Sequence, residues 1–269
     1  MIKLIVSDLD DTLIHKDDHL PEAIVDLAKT LKSSGVDFTF ATGRMPYRAI
    51  NFANDIGLTV PFVANNGSIL YCNGEMVYAK KLYAGLLKDI IERYMQENPE
   101  FTVLFSYEDR ERPLKVTQWI RDRFYKYPGY SEPLGCGNDV WNQDVHKVYV
   151  VDEQRTGSIG RLARELKSMT DVVSCYQYGE FSMEIVADNC SKATGVERLI
   201  QLMHCSKEEV MAIGDHTNDI EVLQLAGIGV AVANAVPELK AVAQYVTQEE
   251  RANGVAEAIE RFVVKGGLS

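Results

Sequence analysis

The chain has 269 residues, 46% of them hydrophobic and 25% charged, the proportions of an ordinary globular protein with one large core or two modest ones. Its formal net charge of −11 excludes non-specific attraction to nucleic acid or to an anionic membrane surface, since both need a basic face. No apolar run approaches the ~20 residues of a spanning helix. The opening Met1-Ile2-Lys3-Leu4 has no leader-like architecture, and the five cysteines (Cys72, Cys136, Cys175, Cys190, Cys205) form no C-x-x-C pair, so a cytoplasmic protein with free thiols is expected.

The first eighty residues alternate strand and helix. Leu4–Val6 reads as a strand, and 21–34 as a helix with Pro21 in its first turn, apolar residues at 24, 27, 28 and 31, and Gly35 ending it. Residues 38–41 form the next strand, 46–56 a second helix closed by Gly57, and 62–64 a third strand. Asn73-Gly74, between apolar segments 69–71 and 76–78, is a hairpin turn. The β-α-β-α-β order predicts a parallel sheet with right-handed crossovers.

The middle of the chain changes character. A helix is expected over 86–96 and a strand over 102–106. A polar, aromatic stretch follows, expected to be mostly loop with a short helix near 119–124. A strand over 147–151, a helix over 157–169 and strands over 172–176 and 181–186 complete a separate α+β unit. The boundaries fall near Tyr83 and Cys190. The alternation then resumes, with helices over 193–203, 219–226, 237–243 and 255–264 and strands over 210–213, 229–232 and 245–247. The expected organisation is a discontinuous α/β core, 1–82 and 191–269, with residues 83–190 inserted as a second domain.

Four clusters of reactive side chains lie at strand ends or helix starts of that core. They are Asp8-Leu9-Asp10-Asp11-Thr12, Thr42-Gly43-Arg44, Ser191-Lys192, and Gly214-Asp215-His216-Thr217-Asn218-Asp219. In a parallel sheet all four emerge at one edge, where open α/β sheets keep their sites. Crowded carboxylates repel unless a cation or proton sits among them, and Mg²⁺ is the hard-oxygen partner such a group suits. Carboxylates for a metal, one ammonium (Lys192), a hydroxyl and backbone N–H groups (Thr42, Gly43) and an amide (Asn218) are what phosphoryl transfer needs. One carboxylate can attack as nucleophile and another can carry the proton. The residues alone do not choose between Asp8 and Asp10 for the attack.

In this order the motifs resemble those of the haloacid dehalogenase (HAD) superfamily, in particular its Cof-type sugar-phosphate phosphatases: D-x-D-x-T at Asp8–Thr12, Thr42 at a strand end, Lys192, and G-D-x-x-N-D at Gly214–Asp219. Asn65-Asn66-Gly67 is similar to a turn common in that branch. The resemblance implies a Rossmann-like parallel-sheet core with an inserted α/β cap that chooses the substrate. It also implies a Mg²⁺-dependent phosphatase acting on small phosphorylated metabolites through an aspartyl-phosphate. Asp8 would be the nucleophile and a metal ligand. Asp10 would be the general acid/base and would bind the metal through its backbone carbonyl, and Asp215 would be the third ligand. Asp219 would orient Lys192 or a metal-bound water. Thr42, Gly43, Lys192, Asn218 and the Leu9 backbone N–H would hold the phosphoryl group, and Asp11 would be a loop residue outside the chemistry. His216-Thr217 stands where the branch often has small residues, and Ala193 where Gly often follows the lysine.

The competing readings are a phosphomutase of the same superfamily, a receiver-like phospho-accepting signalling protein, and a binding protein with a vestigial site. In the insert, aromatics such as Trp119, Tyr125, Tyr127, Tyr130 and Trp141 are expected mainly as core. Asp144, His146 and Glu180 are the polar candidates for facing a cleft, with a solvated face expected for each. Oligomeric state and the physiological substrate are not legible.

Overall fold

The computed structural model describes residues 1–15, 18–108, 110–124, 133–135, 137–169 and 171–264. The expectations for Cys136, Tyr125, Tyr127 and Tyr130 therefore lie outside the described residues. Contacts divide the chain into two units, Met1–Tyr78 with Ser191–Ser269, and Ala79–Cys190.

In chain order the first unit begins with β1 (Leu4–Asp8), α1 (Glu22–Ser33), β2 (Asp37–Ala41), α2 (Pro46–Ile56), β3 (Phe62–Ala64), β4 (Ile69–Cys72) and β5 (Glu75–Ala79). The second unit contains β6 (Leu82–Tyr83), α3 (Lys88–Glu97), β7 (Thr102–Ser106), β8 (Glu111–Pro113), α4 (Gln118–Phe124), β9 (Asp144–Val145), β10 (Lys147–Val151), α5 (Ser158–Leu166), β11 (Val173–Tyr178) and β12 (Ser182–Ala187). The first unit resumes with α6 (Lys192–Leu202), β13 (Val210–Gly214), α7 (Ile220–Leu225), β14 (Ile228–Ala231), α8 (Pro237–Lys240), β15 (Tyr245–Val246) and α9 (Arg251–Ile259).

The first unit is an eight-stranded sheet in the order β15-β14-β13-β1-β2-β3-β4-β5. It is parallel from β15 to β3 and turns antiparallel at β4. The fold is thus the expected α/β class. β1 is central and wholly buried, which is why Leu4-Ile5-Val6 is continuously apolar rather than alternating. Helix α1 buries Ile24, Ala28 and Leu31, spaced four and three apart on one face. It packs against α2 and α9, while α6 packs against α7. Asn73 and Gly74 both take positive φ (49° and 89°), as the tight β4–β5 turn requires.

The second unit is a five-stranded sheet, β11-β12-β10-β7-β8, whose determined pairings are all antiparallel. Along β7 the side chains alternate. Val103 and Phe105 join a large cluster with Ile91, Tyr94, Ile159 and Leu162 of α3 and α5, and Leu104 joins a smaller one with Trp119, Ile120 and Val151. Both sheet faces are therefore covered. Trp119 and Trp141 are buried core residues, His146 is buried, and Asp144 and Glu180 are exposed.

Three short strands, β6, β8 and β9, depart from the sequence expectation. Glu111–Pro113, expected as loop, is an edge strand on β7, where the missing N–H of Pro113 is tolerated at a sheet edge. The first unit also ends at Tyr78, four residues before the expected break after residue 82. Leu82 belongs to the core of the second unit and pairs with Val145, a two-residue bridge too short to leave a periodic signal. The described cysteines, Cys72, Cys175, Cys190 and Cys205, are free, and no described helix is long and apolar enough to cross a membrane.

Candidate active site

Strands β1, β2 and β13 lie side by side and parallel, so the loops after Asp8, Ala41 and Gly214 leave the sheet at the same edge. The helix α6 brings Lys192 to them. Ser191 caps that helix, its hydroxyl accepting from the Thr194 N–H at 3.2 Å while the Thr194 hydroxyl accepts from the Ser191 N–H at 2.9 Å. The turn Asn65-Asn66-Gly67 abuts this helix start, all three residues at positive φ. A β-carbon on Gly67 (φ 89°) would lie 1.8 Å from the carbonyl oxygen of Ser191, so only glycine permits the approach that seats Lys192.

Lys192 is 2% exposed and its ammonium lies between two carboxylates, 2.7 Å from Asp8 Oδ1 and 2.8 Å from Asp219 Oδ1. Asp8, 7% exposed, also accepts the Leu9 N–H at 2.7 Å on the same oxygen. The other oxygen of Asp219 accepts the N–H groups of Asp215 and His216, each at 3.1 Å. Asp219 can lie so close because Gly214 has no β-carbon, which would sit 2.6 Å from the aspartate side chain. Asp215 Oδ1 accepts the buried hydroxyl of Thr12 at 2.7 Å.

Oxygens of Asp8, Asp215 and Asp219 lie within 4.8 Å of one another, all three residues buried. Fully ionised, three carboxylates against one ammonium leave two negative charges, which a divalent cation would balance. Burial pushes the Asp8 carboxyl well above its usual range, the Asp219 charge adding to this and Lys192 opposing it. Burial likewise pushes Asp215 up to about 6, against the hydrogen bond from Thr12. Burial works against the Lys192 charge, but Asp219 and Asp8 outweigh it and hold the lysine protonated. A buried donor set of carboxylate oxygens alone fits a hard divalent ion.

The structure brings Asp8, Lys192, Asp215 and Asp219 together, but the side chain of Asp10 goes elsewhere. Its carboxylate is gripped by Arg44, whose Nε lies 3.0 and 3.1 Å from the two oxygens and whose Nη2 lies 2.6 Å from Oδ1. The same Nη2 reaches Asp18 Oδ1 at 2.5 Å. The carboxylates within reach of one cation are thus Asp8, Asp215 and Asp219. Asp219 spends its oxygens on Lys192 and two backbone amides, the arrangement of a group that orients the lysine.

Thr42 is buried, its hydroxyl accepting from the Arg44 N–H at 3.1 Å and lying 3.5 Å from Asp10 Oδ2. Gly43 is half-buried beside it. Asn218 Oδ1 is buried with no hydrogen-bond partner among the described residues, a polar atom that awaits one. His216 is exposed, its ring beside the Thr217 hydroxyl at 3.2 Å.

Sequence reasoning placed Thr12 and Arg44 inside its clusters but gave neither a role. Thr12 gains one from its contact with Asp215, and Arg44 from Asp10 and Asp18, which lie on another loop. Asp11 lies in the same loop, its carboxylate pairing with Arg251 at 3.3 Å.

Comparison with known proteins gives the family. The haloacid dehalogenase-like hydrolases match the chain over residues 5–259. The chain belongs to that family. It is 27% identical to the phosphoglycolate phosphatase of Methanothermobacter thermautotrophicus, over 97% of this chain and 99% of that one. It is 24% identical to the 5-amino-6-(5-phospho-D-ribitylamino)uracil phosphatase YbjI of Escherichia coli, over 97% and 96%. A haloacid dehalogenase-like hydrolase from Bacteroides thetaiotaomicron superposes with a TM-score of 0.83 at 24% identity, over 97% of this chain and 100% of that structure, and shares the fold. The protein is a HAD-type phosphatase, a phosphoric monoester hydrolase of a family whose chemistry uses a metal ion.

Proposed function

We propose that this phosphatase hydrolyses small sugar phosphates with Mg²⁺ as cofactor, through a phosphoryl group carried on Asp8. The observation that carries the reading is the buried Asp8–Lys192–Asp219 arrangement beside Asp215. In it, one carboxylate is held in place by an ammonium and a backbone N–H, in a site shaped for a divalent cation and a phosphoryl dianion.

In the first step a carboxylate oxygen of Asp8 bonds to phosphorus and the bond from phosphorus to the substrate oxygen breaks. Asp10 supplies the proton that makes the leaving oxygen a neutral hydroxyl. In the second step Asp10 takes a proton from water, the water oxygen bonds to phosphorus, and the bond to Asp8 breaks, releasing inorganic phosphate and restoring the Asp8 carboxylate and the protonated Asp10. Lys192, the Leu9 and Gly43 N–H groups, the Thr42 hydroxyl and the Asn218 amide hold the phosphoryl oxygens in line. When bound, Mg²⁺ would be held by Asp8, Asp215 and the Asp10 backbone carbonyl, and would supply positive charge for the phosphoryl oxygens.

The sugar phosphate class follows from the resemblance to the Cof-type branch and from the phosphorylated ribityl compound named for the Escherichia coli relative. In this reading the inserted unit, residues 79–190, selects the leaving group.

Asp8→Asn tests the mechanism. The variant should fold with an unchanged circular dichroism spectrum and lose hydrolysis of p-nitrophenyl phosphate. Full activity would refute the assignment of the nucleophile. A panel of hexose, pentose, erythrose, nucleotide, flavin and pyridoxal phosphates tests the substrate class, with the highest kcat/KM expected among the sugar phosphates.

A further inference from the structure

Asp11, the residue after Asp10, has φ 54°, the left-handed region that favours glycine and that aspartate enters more readily than other residues with a β-carbon, though at a cost. Two residues distant in sequence hold it. The side-chain amide of Asn234, three residues beyond the end of β14, donates to the Asp11 carbonyl oxygen at 2.8 Å. The other end of that amide accepts the backbone N–H of Arg251, the first residue of α9, at 2.9 Å. Arg251 closes the triangle with its Nε 3.3 Å from Asp11 Oδ1. Arg251 itself sits at φ 51°, a second left-handed residue held in the same network.

Asp11 lies inside a turn closed by the N–H groups of Leu13 and Ile14, both donating to the Leu9 carbonyl at 2.9 Å. The residue on one side is Asp10. The residue on the other is Thr12, whose hydroxyl reaches Asp215 at 2.7 Å. The backbone rotation at Asp11 therefore sets the direction of Asp10 relative to Thr12, which is anchored in the carboxylate cluster. Without its partners Asp11 would relax toward negative φ and swing Asp10 away from that register.

We propose that Asn234 is a positioning residue for proton transfer: by pinning the Asp11 carbonyl it holds the left-handed turn that carries Asp10, whose carboxyl Arg44 grips beside the Thr42 hydroxyl. The inference rests on the reading of Asp10 as general acid/base.

It has a signature that general loss of structure lacks. p-Nitrophenolate leaves with little help from an acid, whereas a sugar alkoxide must be protonated as it departs. Asp10 also serves as base when phosphate leaves Asp8, whatever the substrate, so the comparison is made on kcat/KM, which counts only the steps through departure of the leaving group. A misdirected acid lowers it far more for hexose 6-phosphate than for p-nitrophenyl phosphate, while a smaller fraction of intact enzyme lowers both alike.

Asn234→Asp keeps an acceptor for the Arg251 N–H and removes the donor to Asp11. Its kcat/KM for hexose 6-phosphate should fall at least tenfold more than its kcat/KM for p-nitrophenyl phosphate. Asn234→Ser, judged by the same ratio, serves if the aspartate variant does not fold. Adding Asp11→Gly, which takes the left-handed turn unaided, should restore the ratio toward wild type. Asp10→Asn is measured alongside. If it shows the substrate-dependent loss and the Asn234 variants lose both activities equally or neither, the positioning role is refuted. If Asp10→Asn itself loses both equally, the acid/base reading fails and this inference fails with it.

Discussion

Replacing Lys192 by methionine probes the balance of charge on which the site depends. The ammonium lies 2.7 Å from Asp8 and 2.8 Å from Asp219, and is 2% exposed. At an effective dielectric of about 20, each contact is worth about 6 kcal/mol before the cost of removing the charges from water. Methionine fills similar space but leaves Asp8 and Asp219 facing each other, with Asp215 within 4.8 Å. Breaking a buried pair on one side costs about 3–5 kcal/mol, a large part of the ~5–15 kcal/mol that holds a domain together.

Urea denaturation at pH 7 with chelator present should show that loss, and Mg²⁺ should recover part of it. Acid should help as well. The folded state already holds Asp8 above its unfolded value, so it binds more protons than the unfolded chain, and removal of the ammonium widens the gap. The variant should therefore gain stability relative to wild type as pH falls from 7 to 5. The double variant Lys192→Met/Asp219→Asn should be more stable than Lys192→Met alone. A loss below about 1 kcal/mol, or no relative gain at pH 5, would refute the account of Lys192 as the neutralising charge.

Thr12→Val removes the hydroxyl that orients Asp215 and should weaken Mg²⁺ binding about 10–100-fold, read by calorimetric titration, with activity recovered at saturating Mg²⁺. Unchanged affinity would remove Thr12 from the site. Gly67→Ala places a β-carbon 1.8 Å from the Ser191 carbonyl at φ 89° and should cost at least about 2 kcal/mol in chemical denaturation. Tolerance would mean the turn does not seat Lys192 as described. In the inserted unit, burial holds His146 at about 4, the Lys81 charge adding to the effect. Between about 4 and its ordinary ~6.5 the unfolded chain binds a proton that the fold does not, so stability falls as pH drops through that window. His146→Gln should flatten that limb of the midpoint–pH curve, and an identical slope would contradict it.

The core fold was legible because its signals are local. Pro46 and Gly57 bracket α2 at both ends, Asn73-Gly74 marks a hairpin, and the apolar runs of β1, β2 and β13 end where acidic or hydroxyl residues begin. The short strands Glu111–Pro113, Leu82–Tyr83 and Asp144–Val145 were not legible, since two or three residues carry no period and their pairing partners lie far along the chain.

The site divides the same way. Sequence alone determined which residue types stand at the strand ends, because D-x-D-x-T, Thr-Gly-Arg and G-D-x-x-N-D are contiguous and each reads as a unit. Only the tertiary structure decided who touches whom. It placed Lys192 between Asp8 and Asp219, turned Asp10 to Arg44, joined Thr12 to Asp215, and tied Asp11 to Asn234 and Arg251. Most of those contacts span more than two hundred residues or cross between loops. Side-chain direction past a strand end depends on loop backbone angles and on partners from other strands, neither of which leaves a trace in the local order of residues.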